Sequence, residues 1–494
     1  MPVFLQICPE DDVVVALRDL PAGTSLAPEF PAVRLSADIP AGHKIAVHAL
    51  AAGSAVRKYG SAIGIARRPI APGDWVHSHN LRSALGAPGS YVFHPLPEPQ
   101  NASVPAALFP GFRRQDGRVG IRNEIWILPT VGCVCALADR LAERGRAICR
   151  GRADAVVSFR HPYGCSQLGE DEQNTRRILA DLALHPNAGG VLVLGLGCEN
   201  SGVAAIREQL PGWDPERVRF LEAQACGDEL AEGLALVESL LEKTARDKRT
   251  PCLVSELTVG LKCGGSDGFS GLTANPLAGC VADRLVSMGA GVLLSEVPEM
   301  FGAEQLLMDR CISEAVFRDT CRLIEDFQSY YRKNGQPIHE NPSPGNKQGG
   351  ITTLEEKSLG CVQKAGRAPV AGVLDYGARA FGPGLRLVRA PGNDAVSSTA
   401  LAAAGAQLIL FTTGRGTPFG CAVPTLKIAS NSALAAAKPH WIDFDAGSLL
   451  AGQAMEDSAD ALFRLLVSVV SGRPTKAEQN GCREIAIFKT GVTL

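Results

Sequence analysis

Apolar and polar positions along the chain change rhythm twice. Over residues 1–95, short alternating runs such as DVVVALRDL and HKIAVHAL are broken by PAG, AGH, AAG and APG. Alternation with a period of two, interrupted by regular turn signals, predicts a small all-β module. Residues 86–110 are rich in proline and show no period, and 96–110 read as an extended linker. From 111 to about 250 the pattern becomes IWILPT then CALADRLAER, ADAVVSF then NTRRILADLAL, GVLVLGLG then GVAAIREQL, and VRFLEA then a helix from Asp228. Strand and helix in strict alternation predict βαβ crossovers and a parallel sheet. Residues 251–494 repeat this grammar at larger scale, with apolar runs at VGLK, GVLLSE, PVAGVL, LRLVRA, QLILFTT, LKIAS and WIDFD. They predict six or seven strands, mostly parallel, plus one long helix from about 303 to 332. The fold class is therefore α/β: an N-terminal all-β module, a linker, and two α/β domains with parallel sheets, 111–250 and 251–494.

Open α/β sheets hold ligands at the carboxyl ends of their strands, so the polar groups that follow each apolar run are the candidate chemistry. In the first α/β domain these are Cys133 and Cys135, then His161 and Cys165, then Cys198, Glu199 and Asn200. In the second, VGLK runs into the turn LKCGGSDGFSGLTANP at 261–276, where four glycines stand among Lys262, Cys263, Ser266, Asp267 and Asn275. Such a turn brings backbone close to a ligand and gathers thiol, hydroxyl, carboxylate and amide in one place. Glu296, Glu299, Asn393, Asp394, Thr412, Thr413, Arg415 and Asn431 follow the later strands. The stretch ENPSPGNKQGGITTLEEKSLG, with Asn341, Asn346, Lys347 and Lys357, reads as a long loop of the kind that closes over a substrate. The β-module contributes His43, Lys44, Lys58, His77 and His79.

Composition narrows the partners. The chain has 494 residues, 49 basic against 51 acidic, for a formal net charge of -2. This balance does not favour a polyanion, and no apolar run is long enough to cross a bilayer, so neither nucleic acid nor a membrane is an expected partner. Fifteen cysteines in a long chain without a secretory leader pattern predict a cytoplasmic protein whose thiols stay reduced and free to bind metal.

The turn 261–276, with VPEMFGAEQLLMDRC, ENPSPGNKQGGITTLEEKSLGC and FTTGRGTPFGC, resembles the altronate/galactarate dehydratase family. The likeness runs from DDVVVALRDLPAGT at 11–24 to REIAIFKTGVTL at 483–494. It implies a SAF-type β-clip for the first module, a Rossmann-like variant for the last domain, and a homodimer in contact through the middle one. It also implies dehydration of a sugar acid, D-altronate to 2-dehydro-3-deoxy-D-gluconate, with galactarate as the alternative substrate. A catalytically silent sugar-acid binding protein is the reading from outside enzymes. The proton on carbon 2 is scarcely acidic beside an ionised carboxylate, and a divalent cation on that carboxylate is the natural remedy.

The family is described as using ferrous iron, with manganese as a substitute. Asp267, Glu296 and Glu299 would supply hard oxygen ligands. The competing arrangement draws thiolates from Cys133, Cys165, Cys198 and Cys263, three of which could carry an iron–sulfur cluster. His161 or Lys262 is the candidate base, and His43 or His79 the candidate acid. Arg415 suits the substrate carboxylate, while Ser266, Asn275, Thr413 and Lys44 suit its hydroxyls and charge.

Overall fold

The computed structural model describes residues 3–85, 91–95 and 107–494. The first module is all-β. Phe4–Leu5, Val13–Ala16, Lys44–Ala46 and Trp75–Val76 form one antiparallel sheet, and Ala55–Lys58, Ser61–Ala66 and Leu81–Arg82 another. All four residues of Val13–Ala16 are buried, so this strand is covered on both faces. The reason is that the module feeds two cores. Val14, Leu20, Leu26, Ile39 and Ile45 pack among themselves. Val13, Ala46, Val56, Ile63 and Leu81 join the apolar cluster of the C-terminal domain, which includes Leu261, Leu354 and Leu359.

Most of the expected linker at 96–110 lies outside the described residues. Its last part does not dangle: Leu108–Arg113 is a strand that pairs antiparallel with Thr250–Leu253.

Between these two strands stands a four-stranded parallel sheet in the order Val156–Ser158, Glu124–Pro129, Ala188–Gly195, Val218–Glu222. The predicted helices follow the strands, and the last, Glu229–Thr244, is capped by Asp228, whose Oδ1 accepts from the amides of Leu230 and Ala231.

The C-terminal domain is built on seven parallel strands: Val370–Leu374, Gly384–Val388, Gly291–Leu294, Thr258–Cys263, Leu408–Thr413, Thr425–Ala429 and Phe444–Asp445. Every residue of Leu408–Thr413 and of Thr425–Ala429 is buried, as a sheet flanked by helices on both faces requires.

Two expectations in this domain need correction. The single helix expected from 303 to 332 is broken into Glu304–Met308 and Glu314–Lys333. Between them the chain leaves the helix to bond the edge strand: Val370 N donates to Arg310 O, Ile312 N donates to Val370 O, and Ser313 then caps a new start. The expected loop at 340–360 contains two helical segments, Pro344–Gln348 and Leu354–Cys361. Ser343 and Thr353 cap them, and Thr353 with Glu356 has the spacing of a helix start. The C-terminal tail crosses to the four-stranded sheet, where Arg483 grips Glu124 in two contacts of 2.9 and 2.7 Å.

Candidate active site

Thr258–Cys263 is the middle strand of the seven, so its carboxyl end lies at the centre of the sheet. It delivers Lys262 and Cys263 there, both buried. The neighbouring strand Gly291–Leu294 ends in a sharp turn in which Glu296 takes a left-handed backbone conformation, with φ of 70°. A left-handed glutamate is a strained choice that bends the chain at once, bringing Glu299 back over the strand end. The helix Leu354–Cys361 ends at the same point and adds Cys361.

These three segments bring three donors together. The Cys263 thiol donates to Glu299 Oε2 at 3.1 Å, the Cys361 thiol donates to the same oxygen at 3.2 Å, and the two sulfurs are 3.4 Å apart. Three lysines surround them. Lys262 Nζ pairs with Glu296 and, at 2.8 Å, with Asp394 Oδ1. Lys364 Nζ lies 3.0 Å from the other oxygen of Glu296. Lys357 Nζ lies 2.8 Å from Glu299 Oε1 and also donates to Asn341 Oδ1 and Asn346 Oδ1. Burial alone would strip charge from this cluster; opposite charges outweigh it at Lys262 and Glu299, whereas burial and the neighbouring Glu299 still push Glu296 upward. Desolvation pulls Lys262 down, yet Glu296, Asp394 and Glu299 raise it well above its ordinary value. Desolvation pushes Glu299 up, yet Lys357, Lys262 and Lys364 hold it well below the usual carboxylate range.

The donor set fits a divalent metal. Among the described residues, Cys263, Glu299 and Cys361 are the group whose ligand atoms all fall within 4.8 Å of one another. Three ammonium groups (Lys262, Lys357, Lys364) face three carboxylates (Glu296, Glu299, Asp394), which leaves the surroundings neutral. Two thiolates would add two negative charges, the complement of a divalent cation, and three protein ligands leave coordination positions open.

The set differs from the all-oxygen one expected. Glu296 is occupied by Lys262, Lys364 and the amide of Cys263. Asp267 accepts from Ser270 Oγ, Ser430 Oγ and Phe269 N at Oδ1 and from Asn431 Nδ2 at Oδ2, and is not among the three converging donors. Cys361 and Lys364 were missed, although Lys357, Cys361 and Lys364 fall at i, i+4 and i+7, the spacing of one helix face.

Several other expected residues hold the structure around this centre. Asn275 Nδ2 donates to Gly360 O at 2.9 Å and its Oδ1 accepts from Thr412 Oγ1 at 2.6 Å, fixing the helix end that carries Cys361. Ser266 O accepts from Asn346 Nδ2, Thr413 Oγ1 accepts from Gly416 N, and Arg415 donates to Gly345 O. Lys44 is not free for a substrate: its ammonium is spent on Glu356, Thr352 Oγ1 and Gly350 O. His43 stands between Trp75 Nε1, which donates to its Nδ1, and Gln348 O, which its Nε2 reaches at 3.3 Å. His79 packs edge-on against Trp75.

The remaining candidates stand at the other sheet. His161 is buried, with Nε2 at 2.7 Å from Pro129 O and Nδ1 accepting from Tyr163 N, so neither nitrogen is free to take a proton. Cys133, Cys165 and Cys198 are exposed there, and Cys263 pairs with Cys361 instead of with them.

The glycines of the central turn have a packing role. A Cβ on Gly268 would come within 2.0 Å of Gly42 O, and one on Gly271 within 2.4 Å of the Tyr59 hydroxyl. The β-module, not a ligand, makes the close approach. A cavity of about 1520 Å³ opens at the opposite, amino ends of the strands, lined by Arg114, Arg217 and Trp213, and none of the residues above borders it. Chemistry, not volume, marks the site.

Comparison with known proteins agrees along the whole chain. Residues 2–84 match the altronate/galactarate dehydratase SAF domain, 111–245 the second domain of D-galactarate dehydratase/altronate hydrolase, and 254–493 the C-terminal domain of D-galactarate/altronate dehydratase. The chain is 50% identical to the altronate dehydratase of Escherichia coli, covering 99% of this chain and 100% of that one. It is 48% identical to the altronate dehydratase of Bacillus subtilis, with both covered in full. To the galactarate dehydratase (L-threo-forming) of Escherichia coli it is 34% identical over 98% of this chain and 96% of that one. The chain belongs to the altronate/galactarate dehydratase family.

Proposed function

We propose that this chain is a hydro-lyase converting D-altronate to 2-dehydro-3-deoxy-D-gluconate and water. The observation that carries the choice of substrate is identity: 50% and 48% to two altronate dehydratases over their full length, against 34% to a galactarate dehydratase. Cys263, Glu299 and Cys361 would hold Fe(II), with Mn(II) as a substitute. When bound, the ion supplies Lewis-acid stabilisation of the enediolate formed at the substrate carboxylate.

The protein groups take the rest of the reaction. Lys357, held as an ammonium by Glu299 and braced by Asn341 and Asn346, is the proton donor to the hydroxyl that leaves carbon 3. Asp394, whose side chain is 40% exposed beside the otherwise buried cluster, accepts the proton from carbon 2. Both replace the histidines and Lys262 of the sequence reading. The segment 340–350 excludes water, with Asn346 latched to Ser266 O. We place the protein in the cytoplasm, where its fifteen free cysteines stay reduced, and infer a homodimer in contact through the 111–250 domain.

The test is to assay reduced, iron-loaded protein against D-altronate, galactarate and D-mannonate, reading out the 2-keto acid. D-Altronate should give the highest kcat/KM. A higher value with galactarate would overturn the assignment.

A further inference from the structure

At the carboxyl end of the four-stranded sheet, three neighbouring strands run into loops that each carry an exposed cysteine. Cys133 follows Glu124–Pro129, Cys165 follows Val156–Ser158, and Cys198 follows Ala188–Gly195. The chain has fifteen free cysteines, and these are the three that are exposed. Free cysteine is among the most buried residue types, so exposure concentrated in one place needs a cause.

The three loops are knit into one surface. Gly132 N donates to Tyr163 O at 3.0 Å, Ser201 N donates to Gly164 O at 3.0 Å, and Ser166 N donates to Asn200 Oδ1 at 3.3 Å. Each cysteine is thus within three residues of a bond between loops. Thr130 Oγ1 donates to Glu199, joining the first loop to the third. The approach is close enough to demand glycine: Gly164 has φ of 102°, and a Cβ there would lie 1.9 Å from Thr130 O. Next to Cys165, Ser166 is held left-handed at φ of 60°.

Two buried polar atoms in these loops lack a partner, Gln167 Nε2 and Ser201 Oγ, in residues 1% and 0% exposed. A buried donor without a protein partner is open to a bound group.

A single ion is the wrong occupant. Donors for one ion converge to within a few ångströms, as Cys263, Glu299 and Cys361 do, and the three exposed cysteines do not form such a group. An iron–sulfur cluster instead spreads its thiolates over separate irons. The fourth strand ends near Cys226, but that thiol is half-buried and donates to Glu222 O at 3.1 Å.

We propose that Cys133, Cys165 and Cys198 bind a [4Fe–4S] cluster through three thiolates, apart from the Cys263–Glu299–Cys361 centre. One iron would then lack a protein ligand and take an oxygen donor from solution.

The full-length reduced chain, reconstituted without oxygen from ferrous iron and sulfide, should retain about four irons and four acid-labile sulfides beyond any ion at the other centre. It should show a visible sulfur-to-iron absorption band and a paramagnetic signal on reduction. Replacing Cys133, Cys165 and Cys198 together by serine should abolish the labile sulfide while circular dichroism and melting temperature stay unchanged, since all three side chains are exposed. Cys361→Ser should keep the sulfide. The proposal is overturned if the native chain takes up no sulfide, if it binds zinc or iron there without sulfide, or if the triple variant retains the cluster.

Discussion

Lys44 of the β-module reaches Glu356 of the C-terminal domain, Nζ to Oε2 at 2.8 Å, and both side chains are buried. Lys58 takes the other oxygen of the same carboxylate at 2.8 Å. Burial would raise Glu356, but the two ammonium groups overcome it and hold its pKa near about 2, from an ordinary 4.5. A carboxyl depressed on folding stabilises the native state above its unfolded pKa and loses that contribution as pH falls through the folded one. The shift corresponds to on the order of 3 kcal/mol. Stability followed by urea titration should fall between about pH 4.5 and 2, and Glu356→Gln should flatten that slope.

Cys361→Ser and Glu299→Gln each remove one donor of the proposed centre. Metal affinity, read by competition with a chromophoric chelator, should drop by about 10- to 100-fold or more. Chelation of the native protein should abolish turnover and added Fe(II) should restore it. Unchanged affinity in both variants would remove the centre from these residues.

Lys262→Met should act mainly on stability. It leaves Glu296 with Lys364 and the Cys263 amide as its remaining partners and Asp394 without its ammonium, so the loss should stay below the roughly 3–5 kcal/mol of a fully stranded buried charge. Lys357→Gln tests the proton donor: kcat should fall by about 10²- to 10⁴-fold while KM changes little. A KM effect alone would make Lys357 a binding group.

His161→Asn should keep nearly full kcat, because one ring nitrogen serves Pro129 O at the end of the neighbouring strand and the other Tyr163 N in its own loop. A large loss of rate with intact folding would return His161 to the catalytic machinery.

Gly268→Ala places a methyl group against Gly42 O, and should cost about 1–3 kcal/mol through overpacking. Its melting temperature should fall even though the residue makes no side-chain contact.

The architecture was legible where patterns are local. Alternating runs in DVVVALRDL, and strand followed by helix from IWILPT onward, report directly on which faces are buried. The break at 309–313 was not, because its cause is a bond to Val370, far along the chain. At the site, the Gly-rich turn and the acids after GVLLSE pointed to the right strand ends. Which groups meet there depended on Glu296 adopting a left-handed turn and on Cys361 arriving 98 positions after Cys263. Asp267 looked like a ligand because two of its four hydrogen-bond donors, Ser430 and Asn431, come from a segment more than 160 positions away.

The β-module shares a continuous apolar core with the C-terminal domain, with Val13, Val56 and Leu81 in one cluster with Leu354 and Leu359. Swinging it aside as a rigid flap would wet that seam along with the Lys44–Glu356 pair, so it is a fixed wall. Traffic in and out of the centre then falls to the short segment around Asn341 and Asn346, and turnover should respond to the stiffness of those few residues.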